Sequence, residues 1–246
     1  MAGSSMICPA PSLPSDCWLE ILECLSPEDH WSLLFVSQSM SRFAEPLLFK
    51  RIAWEWDPIP FRRILLLFRT ILWKPERAYD IRHFSLVTQK SFDSSIESWT
   101  PPSCVTDCKA EIAHFQDVLA HAQDVVKTTE FPDANTWAYA LENGNPYAIV
   151  SIFLSKLHNL QSLSLDYSFV WQSGFPGLML RHALSSPSKQ FSRFDLLTNV
   201  DYGANIRHDE MNFDEPLIWE EPGYPECNPE QFSAWFYLPA LRSLKI

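Results

Sequence analysis

The chain has 246 residues, 46% of them hydrophobic and 14% aromatic, with a net charge of −11. That length suits one sizeable domain plus a small module, and the apolar content excludes a disordered chain. The acidic balance argues against nucleic acid, whose affinity comes from cations on phosphate, and against an anionic membrane surface. Met1 to Ser12 holds no Lys or Arg and no long apolar run, so no secretory signal is expected. Three helices are predicted between Leu13 and Ile52. Pro14 precedes the first, in which Ser15 or Asp16 can act as cap and Leu19, Ile21, Leu22 and Leu25 are apolar. Ser26-Pro27-Glu28-Asp29 starts the second, with proline at the first helical position and acids at the positive end of the dipole. The third runs from about Ser37 with Met40, Phe43 and Ala44 inward, and Pro46 ends it or starts a new turn.

A module this small cannot bury so many apolar side chains, and its surplus apolar face is expected to be an interface. The alternative is an ordinary three-helix bundle. The residues Leu13, Pro14 and Asp16, then Ile21, Leu22 and Leu25, Pro27 and Asp29, Leu33, Val36 and Ser37, and the tail Ala44, Pro46, Leu47, Leu48 and Phe49 stand in a fixed order. In that order they resemble the F-box, of the kind at the N-terminus of many fungal F-box proteins. His30, Gln38 and Met40 depart from the family pattern, which usually has leucine, often a basic residue and commonly an aromatic there. The resemblance implies docking on the Skp adaptor and, through it, a cullin in a ubiquitin ligase. It assigns adaptor contact to Leu13, Pro14, Ile21, Leu22, Leu25, Leu33 and Val36.

The expected organisation is a helical module over residues 10–56 and a second domain over 57–246. Trp54, Trp56, Pro58 and Pro60 mark a short extended joint, followed by an amphipathic helix from Pro60 to Trp73 bearing Phe61, Ile64, Leu65, Phe68 and Leu72. Its apolar run is interrupted by Arg69 well before a bilayer could be spanned. Further on, Leu157, Leu160, Leu163 and Leu165 fit the same template as Leu238, Leu241, Leu244 and Ile246. Looser copies are Ile81, Phe84 and Leu86, and Phe191, Phe194 and Leu196. The template resembles the leucine-rich repeat, so the fold expected is mixed α and β, solenoid-like, an F-box module followed by an irregular leucine-rich-repeat domain. Helical connectors are expected over Val105 to Lys127, Asn135 to Glu142, Tyr147 to Leu157 and Phe175 to Ser185. In this register Ser162, Ser164 and Asp166 face outward, as do His83, Ser85 and Val87, Arg193 and Asp195, and Ser243 and Lys245. The target-binding surface is expected among Ser162, Ser164, Asp166, His83, Ser85, Arg193 and Asp195, since solenoids bind on such faces. The long acidic stretch Asp201 to Glu230 breaks the pattern. Ile246 falls on a final inward position with no capping unit after it. The expectation is a shortened product of a longer protein, the alternatives being that the acidic Asp201–Glu230 segment folds back as a lid or that a partner covers the end.

Chemistry finds no candidate. Cys104 and Cys108 with His114 and His121 lack the usual histidine spacing of a zinc site. Cys8, Cys17, Cys24, Cys104, Cys108 and Cys227 form no disulfide framework; Cys17 and Cys24 read as small hydrophobes on a helix. No Gly-x-Ser-x-Gly elbow and no glycine-rich phosphate loop occurs, and only six glycines stand against nineteen prolines. The expectations are therefore no enzyme, no metal and no cofactor, a cytoplasmic and/or nuclear chain, and a substrate-recognition role: the Skp adaptor held at one end and an unknown target protein at the other. A repeat scaffold outside any ligase is the alternative.

Overall fold

The computed structural model describes residues 13–88, 105–166, 168–171, 174–186, 190–202 and 230–245. The chain divides into two compact units, Met1–Lys50 and Arg51–Ile246. The division precedes the expected one at residue 56 because Ile52 and Trp56 are buried and belong to the second unit.

The first unit contains α1 (Ser15–Glu23), α2 (Pro27–Leu33) and α3 (Gln38–Lys50). Helix α2 starts as its sequence predicts. Ser26 Oγ accepts from the Asp29 amide at 3.2 Å while Asp29 Oδ2 accepts from the Ser26 amide at 3.2 Å, a reciprocal capping box. Helix α1 differs: Pro14 takes the cap position, and neither Ser15 nor Asp16 supplies a side-chain cap. Helix α3 also differs, running through Pro46 to Lys50 and closing on α1 through an ion pair between Lys50 Nζ and Glu23 Oε1 at 2.6 Å. The core is small: Leu22, Ala44 and His30 are buried. His30 Nε2 lies 2.6 Å from the Leu22 carbonyl oxygen, which can only accept, so Nε2 carries the proton and the buried ring is satisfied. A histidine thus substitutes for an apolar side chain at this position by tying α2 to the last turn of α1.

The second unit is built on five parallel strands in sequence order: β1 (Arg51–Trp54), β2 (His83–Leu86), β3 (Ser162–Leu165), β4 (Asn199–Asp201) and β5 (Ser243–Lys245). Parallel neighbours need crossover connections, and helices supply them. They are α4 (Phe61–Trp73), α5 (Glu76–Asp80), α6 (Val105–Ile112), α7 (Gln116–Thr128), α8 (Ala134–Glu142), α9 (Pro146–Leu154), α10 (Ser168–Trp171), α11 (Phe175–Ser185) and α12 (Glu230–Ser233). A 3-10 turn, Ala234–Tyr237, follows α12. The register places Ile52 opposite Phe84, Phe84 opposite Leu163, Leu163 opposite Val200 and Val200 opposite Leu244. The first four of these are buried. Alternation then sends Arg51, His83, Ser162, Asn199 and Ser243 to the other face.

Helix α9 defines the covered face. Asn145 caps it by accepting from the Tyr147 and Ala148 amides at 3.0 and 3.1 Å, and every residue from Pro146 to Leu154 is buried. Its Phe153 ring lies 5.2 Å from Phe84 of β2 and 5.8 Å from Phe68 of α4, so strand, central helix and outer helix share one aromatic column. At the C-terminal ends of the strands Trp56 donates from Nε1 to Ser168 Oγ at 3.1 Å, and its ring packs on Phe169 and Tyr147 at 4.6 and 5.5 Å. Burial pushes the Tyr147 phenol up to about 12, which keeps it protonated.

Two expectations about the elements need correction here. The predicted helix Val105 to Lys127 is broken into α6 and α7 at residues 113–115, which lets Ile112, Phe115 and Val118 all reach the core. The α8–α9 turn packs against α6 so closely that a Cβ on Gly144, at φ +67°, would lie 2.6 Å from the Cys108 carbonyl oxygen. The second correction concerns the repeat register. Phe191, Phe194 and Leu196 do not form the strand; β4 begins at Asn199, and the copy reads Phe194, Leu197, Val200 and Tyr202, all buried. Leu196 is exposed. The Asp201 to Glu230 stretch lies largely, and Cys104 and Ile246 lie wholly, outside the described residues.

Asp166 is not on the open face. It is buried, with Oδ2 accepting from the Thr88 amide at 3.1 Å and Oδ1 from the Ser168 amide at 2.9 Å. It fastens the chain leaving β2 to the start of α10. Replacing it by alanine leaves two amides without these acceptors, and Asp166→Ala is expected to lose about 1–3 kcal/mol in urea unfolding.

Candidate docking surfaces

The first unit leaves much of its apolar surface in water. On α1, Cys17 and Ile21 are exposed at helical spacing, as are Leu13 just before the helix and Cys24 at its C-cap. Both cysteines are exposed free thiols. Past α2, Phe35 is 75% and Val36 68% exposed, and the exposed Trp31 meets Phe35 edge to face at 5.8 Å. A groove of about 450 Å³ lies beside them, lined by Trp31, Leu34, Ser41, Glu45, Leu48 and Phe49. Single exposed hydrophobics need no explanation, but a run of them on so small a unit marks an interaction surface.

Of the residues expected to contact an adaptor, Leu13, Pro14, Ile21 and Val36 are exposed, and Leu25 and Leu33 are half-buried. Leu22 is a correction. It is 1% exposed and forms the centre of the three-helix core, because the next position on α1 turns inward while Ile21 turns out. Residues missed by the sequence reading are Leu19, Trp31 and Phe35. The density of apolar residues from Trp31 to Val36 was the available signal, since one helix face cannot bury them all.

The second unit offers a different surface, the sheet face turned away from the helices. Its first row, from β1 to β5, is Arg51, His83, Ser162, Asn199 and Ser243; its second is Ala53, Ser85, Ser164, Asp201 and Lys245. None of these ten is buried. His83 Nδ1 and Ser162 Oγ share a hydrogen bond at 2.8 Å, and Lys245 Nζ lies 3.6 Å from Asp201 Oδ2. Of the predicted target-binding residues, the sheet brings His83, Ser85, Ser162 and Ser164 together. Arg193 and Asp195 are exposed in the loop before β4 instead, a consequence of the shifted register. Arg51, Ala53, Asn199 and Asp201 were missed, although Phe194-x-x-Leu197-x-x-Val200-x-Tyr202 carries the same template as Leu157 to Leu165.

Among the described residues no group of His, Cys, Asp and Glu converges as a metal site would require, and His121 instead meets Phe68 edge to face at 6.0 Å. Among them, too, no helix is long and apolar enough to cross a membrane.

The inside-outside assignment on α1 has a direct consequence. Leu22→Asp buries a charge in the module core and is expected to expose Ser15 to Lys50 to limited proteolysis, whereas Ile21→Asp leaves the cleavage pattern unchanged.

Comparison with known proteins bears on the first unit. No curated protein and no solved structure matches the chain. The family model of the F-box domain matches residues 11–51, and F-box domains bind Skp adaptors in Skp–cullin–F-box ligases. The N-terminal three-helix module of this chain is an F-box domain.

Proposed function

We propose that this chain is a substrate-recognition subunit of a Skp–cullin–F-box ubiquitin ligase. The observation that carries the reading is the exposed apolar run Leu13, Ile21, Trp31, Phe35 and Val36 on a domain whose family binds Skp adaptors. In this reading the F-box, of the fungal type by its sequence pattern, holds the adaptor and through it the cullin. The second unit holds the target. Its parallel strands in sequence order and the recurring Leu157, Leu160, Leu163, Leu165 template support an irregular leucine-rich-repeat domain whose open face is the target surface. In this reading each role belongs to one of the two compact units, Met1–Lys50 and Arg51–Ile246.

The chain then acts by positioning. Tethering a target near a charged conjugating enzyme raises the effective concentration of its lysines, with no catalytic group of its own required. Such an assembly works in the cytoplasm, the nucleus or both.

Co-expression with a Skp adaptor tests the docking half. The double variant Leu13→Ala with Ile21→Asp removes apolar area at the proposed interface and places a carboxylate there. It is expected to co-purify at least about tenfold less adaptor, with the melting of the second unit unchanged. Undiminished adaptor capture by the folded variant would contradict the reading, and absence of capture by the parent chain would favour a scaffold acting outside a ligase.

A further inference from the structure

The open sheet face has a charge that the rest of the chain does not predict. The sequence holds 30 Asp and Glu against 19 Lys and Arg. Yet the ten open positions carry two permanent cations, Arg51 and Lys245, and one acid, Asp201, which already faces Lys245 at 3.6 Å. The row nearest the strand starts has no acid at all: Arg51, His83, Ser162, Asn199 and Ser243. One residue before β2 and β5, Arg82 and Arg242 are exposed at that same end. Their backbones are fixed there by the ladder, since Arg82 O accepts from the Gln161 amide at 2.7 Å and the Arg242 amide donates to Thr198 O at 2.8 Å. Among the described residues none of these three arginines forms an ion pair. Asp80 is held by Arg77 at 2.9 Å, and Asp195 is exposed in the loop before β4.

The spacing of these cations selects among anions. A single phosphate draws its donors to one point. Here the arginines belong to β1, β2 and β5, and strands lie about 4.8 Å apart, so Arg82 and Arg242 are separated by about 14 Å along the sheet. That is the reach of about four residues of extended chain. Between them the row presents the hydroxyls of Ser162 and Ser243 and the amide of Asn199, which can hydrogen-bond a peptide without bringing a charge. Guanidinium groups pair well with single carboxylates, in two parallel hydrogen bonds.

Resting on the reading of this face as the target surface, we propose that its strand-start end recognises an extended acidic segment of the target protein. Carboxylates about four residues apart would sit against Arg51, Arg82 and Arg242, and the segment would lie across the strands along the serine and asparagine row.

An array of random twelve-residue peptides, with phosphoserine included among the building blocks, tests this on the purified full chain. Bound peptides are expected to show Asp or Glu at two positions about four apart, and to lose binding as salt screens the charges. Arg51→Glu combined with Arg242→Glu is expected to weaken them roughly tenfold, the loss expected when a charge-assisted hydrogen bond goes. Ser164→Trp, with Ser85→Tyr as a second blocking variant, fills the face without touching its arginines and should block the same peptides, provided its melting matches the parent. Peptides blocked by either bulky variant but showing no acidic preference would overturn the acidic inference and leave the target face standing. A preference for phosphoserine over Glu at the same positions would overturn the choice of carboxylate. Bound peptides indifferent to both bulky variants would overturn the reading of the face itself.

Discussion

The second unit depends on one row of side chains. Ile52, Phe84, Leu163 and Val200 stand side by side across four parallel strands, and α9 lies over that row through Phe153. A parallel strand cannot shift by one residue without sending its apolar set to the opposite face. The packing of this row therefore fixes the register of every strand, and the register in turn decides which side chains remain on the open side. The polar composition of that open face, serine above all, follows from the burial of its neighbours. Removing the methyl groups of a fully buried leucine such as Leu163 would disturb both.

The F-box domain obeys the opposite economy. Its core is Leu22, Ala44 and a hydrogen-bonded His30, too little apolar burial for a unit of this size to be self-sufficient. What it withholds from the core it presents outward, at Ile21, Trp31, Phe35 and Val36. Under the proposed docking, binding and stability are coupled: an adaptor covering these side chains would add apolar burial that the isolated domain lacks.

Much of this was legible in the sequence because two kinds of signal are local. Ser26-Pro27-Glu28-Asp29 spells a helix start whose hydrogen bonds lie within four residues, and the capping box is formed as it reads. The spacing of Leu157, Leu160, Leu163 and Leu165 places alternate residues on alternate faces irrespective of their partners. Errors arose where a distant neighbour decides. Leu22 and Ile21 are adjacent aliphatics of nearly equal hydrophobicity, and only the position of α3 determines which is covered. Asp166 reads as the next outward position after Ser164, but the amides of Thr88 and Ser168 draw it into the interior. Phe191 and Phe194 offered a plausible alternation six residues ahead of the true one, and pairing with β3 selects Val200 instead. The role of Trp56 was equally hidden, since its partner Ser168 comes from the far side of the sheet in sequence.

The central claim is that one chain presents two separate surfaces, an apolar one on the F-box for the adaptor and a polar one on the sheet for a target. Amide hydrogen exchange of the full chain, with and without a purified Skp adaptor, tests this most directly. The account predicts added protection in Leu13 to Val36 and unchanged exchange in β2, β3 and β4. Protection appearing in those strands while α1 and α2 stay unaltered would contradict it.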